Sequence, residues 1–218
     1  LKRKTSGKQR PAAAHTPGIQ TLLLDIGNVI LSNGWDRYSR KKASDRFRLD
    51  PQEFDDRHKI FFDRFETGKI SLDDYLHYVI FYEERDFGKE EFLNFMFAQS
   101  KPIKDSMAYF LSIKNKYKLR VFSLNNEGRE LNEYRIKTFD LGKLFDGFIS
   151  SCYVHLRKPD KDIYLIASEI SFTAPESCLF IDDRAIHVRV AKEIGFNAIQ
   201  FTSLAQAKKQ MARFGLSI

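Results

Sequence analysis

From residue 118 onward, short apolar runs alternate with amphipathic stretches of helical length. KLRVFSL, GFIS, CLFID and NAIQF read as strands. ELNEYRIKTF, DKDIYLIASEI and RAIHVRVAKEIG lie between them as helices, and SLAQAKKQMARFG follows the last. Strands kept apart by helices cannot close as hairpins. They pair in parallel, with helices covering both faces of the sheet. Right-handed crossovers then make the core doubly wound. An earlier strand, TLLLD at 21–25, and a helix over 103–117 complete the pattern.

The expected fold is therefore an α/β, Rossmann-like parallel sheet, interrupted after its first strand. Residues 35–101 hold no strand-like run but several amphipathic stretches, including DPQEFDDRHKIFFDRFETG and SLDDYLHYVIFYEERDFG. Their apolar residues recur at three- and four-residue steps, as in helices. Asp50-Pro51 and Ser71 carry helix-start chemistry, and Gly68 and Gly88 sit where helices are expected to stop. We read 35–101 as an all-helical cap inserted into a core formed by 19–34 and 102–218.

The net charge of +7 raises the question of nucleic acid, but Lys2, Arg3, Lys4, Lys8 and Arg10 supply five of those charges. Residues 1–18 read as a disordered basic tail, and beyond it acids and bases are interspersed, so nucleic acid is not an expected partner. No apolar run reaches membrane-spanning length, and the basic N-terminal segment has no apolar stretch of a secretory signal. Cys152 and Cys178 are too few for a disulfide framework or a zinc site and suit a cytoplasmic protein with reduced thiols. The oligomeric state is left open.

In doubly wound sheets ligands bind beyond the carboxyl ends of the strands. TLLLD ends at Asp25 and runs into Gly27-Asn28; KLRVFSL leads to Asn125-Asn126; Lys158 follows GFIS in RKPD; CLFI leads into Asp182-Asp183. Diacid pairs also occur at Asp55-Asp56 and Asp73-Asp74, where they read as solvated helix faces. Only Asp182-Asp183 follows a buried strand, and adjacent carboxylates there call for a nearby cation.

This order of motifs, with DIGNV first, KPD third and hhhDD last, resembles the haloacid-dehalogenase-like hydrolase superfamily from Thr21 to Phe214. The DxGNV start and the phrase FETGKISLDDYL are similar to its branch of glucose-1-phosphatase-type sugar phosphatases. The resemblance implies a Mg²⁺-dependent phosphatase of a small phosphorylated metabolite. It implies Mg²⁺ held by Asp25, the Gly27 carbonyl and Asp183, with Asp182 in or just behind the coordination shell. Asp25 would attack phosphorus and form an aspartyl-phosphate, with Lys158 countering the charge. Asn125 and Asn126 would contact the phosphate.

Two positions depart from the family pattern. Gly27 stands where these phosphatases keep a general acid, whose loss costs about two to four powers of ten in rate. His58 and His155 are candidate replacements. Asn125 stands where the family keeps Ser or Thr. These departures motivate an alternative, a catalytically weakened binding or regulatory protein. A 2-haloacid dehalogenase ranks lower, because its first motif resembles DxYGT. A response-regulator receiver would present its acid pair early, the reverse of this order.

Overall fold

The computed structural model describes residues 18–218, so the tail read over 1–18 lies, but for Gly18, outside the described residues. The first strand, β1 (Thr21–Leu24), is followed by α1 (Arg37–Phe47), α2 (Pro51–Glu66), α3 (Leu72–Val79) and α4 (Lys89–Phe97). The chain continues through α5 (Ser106–Tyr117), β2 (Arg120–Asn125), α6 (Arg129–Thr138), β3 (Gly147–Ser150), the single turn α7 (Ser151–Val154) and α8 (Lys161–Ile170). It closes with β4 (Cys178–Asp182), α9 (Ala185–Glu193), β5 (Asn197–Gln200) and α10 (Leu204–Ala212).

The strands form one parallel sheet in the order β3-β2-β1-β4-β5, with the first strand at its centre. Every residue of β1 is buried. Leu22 and Leu24 pack on one face with Phe110, Ile113, Leu141 and Met211; Leu23 packs on the other with Tyr164, Ala167 and Val188. A strand covered on both sides needs an unbroken apolar run, as TLLL supplies. Leu24 lies opposite Ile181 of β4 and Ser123 of β2. The next residue, Asp25, donates its backbone N–H to the Ile181 carbonyl, which sets it beside Asp182 at the carboxyl edge.

The four helices α1 to α4 gather around their own apolar cluster, including Trp35, Phe47, Phe54, Tyr75 and Phe92, to which α6 of the sheet layer contributes Leu131. Asp36, Asp50 and Ser71 cap the first three helices with side-chain oxygens, Ser71 within a reciprocal box with Asp74. Gly88 departs from expectation. The helix before it stops at Val79, its end held by Arg85 Nε donating to the Ile80 carbonyl, and Gly88 instead starts α4 with extended backbone. The two linkers run side by side, joined by Ser32 N–H to the Lys101 carbonyl (2.7 Å) and by Ser32 Oγ to the Gln99 carbonyl (2.8 Å). No described helix is long and apolar enough to cross a membrane. Both cysteines are buried and free.

Candidate active site

Asp25, Asp182 and Asp183 each place a carboxylate oxygen within 4.8 Å of the others at the carboxyl edge of β1 and β4. Lys158 reaches this cluster from the loop after α7. Its Nζ donates to Asp182 Oδ2 at 2.5 Å and lies 3.3 Å from Asp25 Oδ1. The lysine side chain is 1% exposed, which makes its charge hard to screen.

Burial pushes the Asp25 carboxyl up to about 7 against the pull of Lys158, and Asp182 and Asp183 push the same way. Burial alone would also raise Asp182 and lower Lys158. Their mutual attraction reverses both: Asp182 falls below the usual carboxylate range and the lysine rises above its own. Asp182 is fully engaged, accepting also from the Arg184 N–H (2.8 Å) and from His187 Nδ1 (3.0 Å).

Asp25 Oδ1 accepts from the Ile26 N–H, and Asp183 Oδ2 from Asn28 Nδ2 at 2.9 Å. Asp25 Oδ2 and Asp183 Oδ1 accept no hydrogen bond from the described residues. An all-oxygen, anionic donor set with one lysine against three carboxylates suits a hard divalent cation such as Mg²⁺. Asp25 and Asp183, each with an oxygen free of protein donors among the described residues, suit such an ion as direct ligands. Asp182, its oxygens already occupied, fits behind them as the partner that holds Lys158.

The two asparagines after β2 differ from each other. Asn125, almost fully buried, donates to Asn132 Oδ1 (3.0 Å) and accepts from Ser150 Oγ (2.9 Å), while still lining the cleft above Asp25. Asn126 was expected to contact substrate. Its amide pairs with the Lys158 backbone, accepting from the N–H (2.9 Å) and donating to the carbonyl (2.8 Å). Asn126 thus positions the lysine and also lines the cleft.

A cleft of about 580 Å³ opens over Asp25 between sheet edge and cap. Neither histidine singled out as a replacement acid fits that task. His58 lies in the cleft wall, bonded through Nδ1 to Tyr75 Oη (2.8 Å), and burial pushes it down to about 3, so it carries no proton to give at neutral pH. His155 Nδ1 pairs with the Thr67 carbonyl at 2.7 Å and clips the cap to the core.

That clip is one of several on the turn FETG. Phe65 lies against Gly128 so closely that a Cβ there would enter its ring. Ser151 Oγ donates to the Glu66 carbonyl (2.6 Å). Gly68, at φ +66°, presses on the Cys152 carbonyl, where a side chain would collide. Arg157, next to Lys158, reaches Asp63 and Glu66, both at 2.8 Å. Residue by residue, the turn is seated on the core beside the motif loops. Sequence reading missed Asn28, His187, Glu66 and Arg157. Of these, Asn28, Glu66 and Arg157 stood inside quoted motifs, whereas nothing local marked His187.

A family model described as haloacid dehalogenase-like hydrolase matches residues 19–195. Flavin mononucleotide hydrolase 1 of Arabidopsis thaliana, a chloroplastic protein, is 34% identical over 68 residues, 31% of this chain. That match spans 28% of the relative's length. Among solved structures, a haloacid-dehalogenase-family enzyme from Bacteroides thetaiotaomicron superposes with TM-score 0.75 at 20% identity, over 89% of this chain and 98% of the other. The same enzyme in complex with magnesium and inorganic phosphate gives 0.71 at 20% identity, over 84% and 94%. L-2-haloacid dehalogenase from Xanthobacter autotrophicus gives 0.60 at 15%, over 92% and 85%. At such identities the structural likeness speaks for the fold.

Proposed function

The chain belongs to the haloacid dehalogenase-like hydrolases, and from that premise we propose that it is a magnesium-dependent phosphatase of a small phosphorylated metabolite. The observation that carries the reading is the clustering of the Asp25, Asp182 and Asp183 carboxylates, with the Lys158 ammonium against the first two. Hydrolysis of a haloacid ester has no use for three clustered carboxylates. A phosphate dianion does, once a cation offsets them. Mg²⁺, when bound, supplies Lewis-acid charge to the phosphoryl oxygens.

This chain's own groups perform the remaining tasks. Asp25 Oδ2, free of protein donors among the described residues, is the nucleophile; it attacks phosphorus and carries the phosphoryl group as a mixed anhydride. Lys158 faces the oxygens that gain charge as the ester bond breaks. Asn126 and Asp182 hold that lysine from its backbone and from its ammonium. Asn125 keeps a second amide hydrogen for a phosphate oxygen. Water then hydrolyses the anhydride and frees Asp25.

A cleft of about 580 Å³ is in the range that encloses a small ligand. Flavin mononucleotide, named in the Arabidopsis relative, joins sugar and nucleotide phosphates as a test substrate. Phosphate release from that panel, with Mg²⁺ and with chelator, tests the reading. Metal-dependent release from at least one ester is expected; none from any of them overturns it.

A further inference from the structure

Position 27 is a glycine and supplies no acid. A Cβ on Gly27 would lie 2.6 Å from Asn33 Oδ1, so the amide of Asn33 fills that space. Departure of an alkoxide still requires a proton. The acid must therefore come from another wall of the cleft.

The acids and histidines lining the cleft can be taken in turn. Asp36 caps α1 through the N–H groups of Tyr38 and Ser39. Asp55 is paired with Lys59 and held low by it. Glu127 is paired with Arg135 at 2.8 Å and accepts from the Gly128 N–H. His58 is neutral and bonded to Tyr75, and His187 is bonded to Asp182. Glu66 differs. Its side chain is 13% exposed and lines the cleft; Oε2 is closed off against Arg157 at 2.8 Å without the alignment of a bond, and Oε1 accepts no hydrogen bond from the described residues. Its backbone is fixed by Ser151, and the residues on either side are docked against Gly128 and His155.

We propose that Glu66 is the general acid and base of the phosphatase reaction, supplied by the cap in place of a residue at position 27. The role rests on the phosphatase reading. As the Asp25 Oδ–P bond forms, the P–O ester bond breaks with its electrons on the ester oxygen. That oxygen takes the Glu66 carboxyl proton and leaves as the alcohol. Water next attacks phosphorus, its proton passes to the Glu66 carboxylate, and the Asp25–P bond breaks with its electrons returning to Asp25. Phosphate leaves and Glu66 is again protonated.

The surroundings suit this cycle. Burial pushes the Glu66 carboxyl up to about 8, opposed by Arg157 and, more weakly, by Arg184 and Lys158, and aided by Glu127. The group is thus protonated at neutral pH and close enough to it to be reused.

The test compares wild type and Glu66→Gln on 4-nitrophenyl phosphate and phenyl phosphate with Mg²⁺. The first ester has a leaving group that needs no proton; the second does not. Glu66→Gln should keep kcat/KM for the nitrophenyl ester within about threefold and lose about a hundredfold for the phenyl ester. Wild-type kcat/KM for phenyl phosphate should fall above about pH 8, and that limb should vanish in the variant. Equal losses on both esters, or none on either, overturn the role. If Glu66→Gln does not fold, Glu66→Asp carries the test. Its descending limb shifts with the new carboxyl if this residue is the acid and stays in place if another group is. A wild type inert on both esters and on the wider panel removes the phosphatase reading, and this role with it.

Discussion

Lys158 Nζ donates to Asp182 Oδ2 at 2.5 Å, with the two side chains 1% and 0% exposed. A buried pair of this kind is costly to break on one side, because the remaining charge has neither partner nor water. Lys158→Met should therefore destabilise the fold by about 3 kcal/mol in urea denaturation as well as removing charge from the site. Lys158→Met together with Asp182→Leu should recover most of that stability and none of the activity.

Gly68 joins a left-handed backbone, φ +66°, to a close approach on the Cys152 carbonyl. Gly68→Ala should cost about 2 kcal/mol, read as a lower urea midpoint with unchanged slope. Gly142→Ala is the control, since nothing lies within 4 Å of its Cβ position; it should change stability by less than about 0.5 kcal/mol.

Gly27 meets only the end of a side chain, Asn33 Oδ1. Gly27→Ala should therefore cost no more than about 1 kcal/mol, and Asn33→Ala in the same chain should cancel most of it. A double-mutant cycle with no coupling would place the crowding elsewhere.

Asp25 and Glu66 have ordinary values of 3.8 and 4.5 and are raised in the fold to about 7 and about 8. Between these limits the folded metal-free protein holds protons that the unfolded chain has released. Their contribution to stability should thus fall as pH rises from about 4 to about 8, offset up to about pH 6.5 by His58 and His187, which burial holds neutral in the fold, so the net fall should appear between about pH 6.5 and 8. Mg²⁺ competes with the proton on Asp25, so the rise in Tm on adding Mg²⁺ should be larger at about pH 8 than at about pH 5.5. Equal increments at the two pH values would argue against Asp25 as a ligand.

The strands that build the sheet edge were legible because each is an apolar run ending in a polar residue. The run TLLL must be buried on both faces, and that requirement alone places Asp25 at an exit from the core. The partners that finish the site were not legible in the same way. His187 reaches Asp182 from one turn into α9, and Arg157 reaches Glu66 across the cap boundary, 91 positions away in sequence. Such pairings depend on how two separately folded layers meet, which no local period records. Gly88 was misread for a related reason: glycine serves both ends of helices, and only the tertiary course of residues 80–87 decides which. His58 and His155 were read by residue type, whereas their neighbours determine what each can do.

The central claim is that Asp25 carries the phosphoryl group. Acid quench of a single turnover with a ³²P-labelled ester that the wild type hydrolyses in Mg²⁺ should trap label on the peptide containing Asp25. Asp25→Asn should trap none and release no phosphate above background. Undiminished phosphate release by Asp25→Asn, or label trapped on a different residue, would contradict the account.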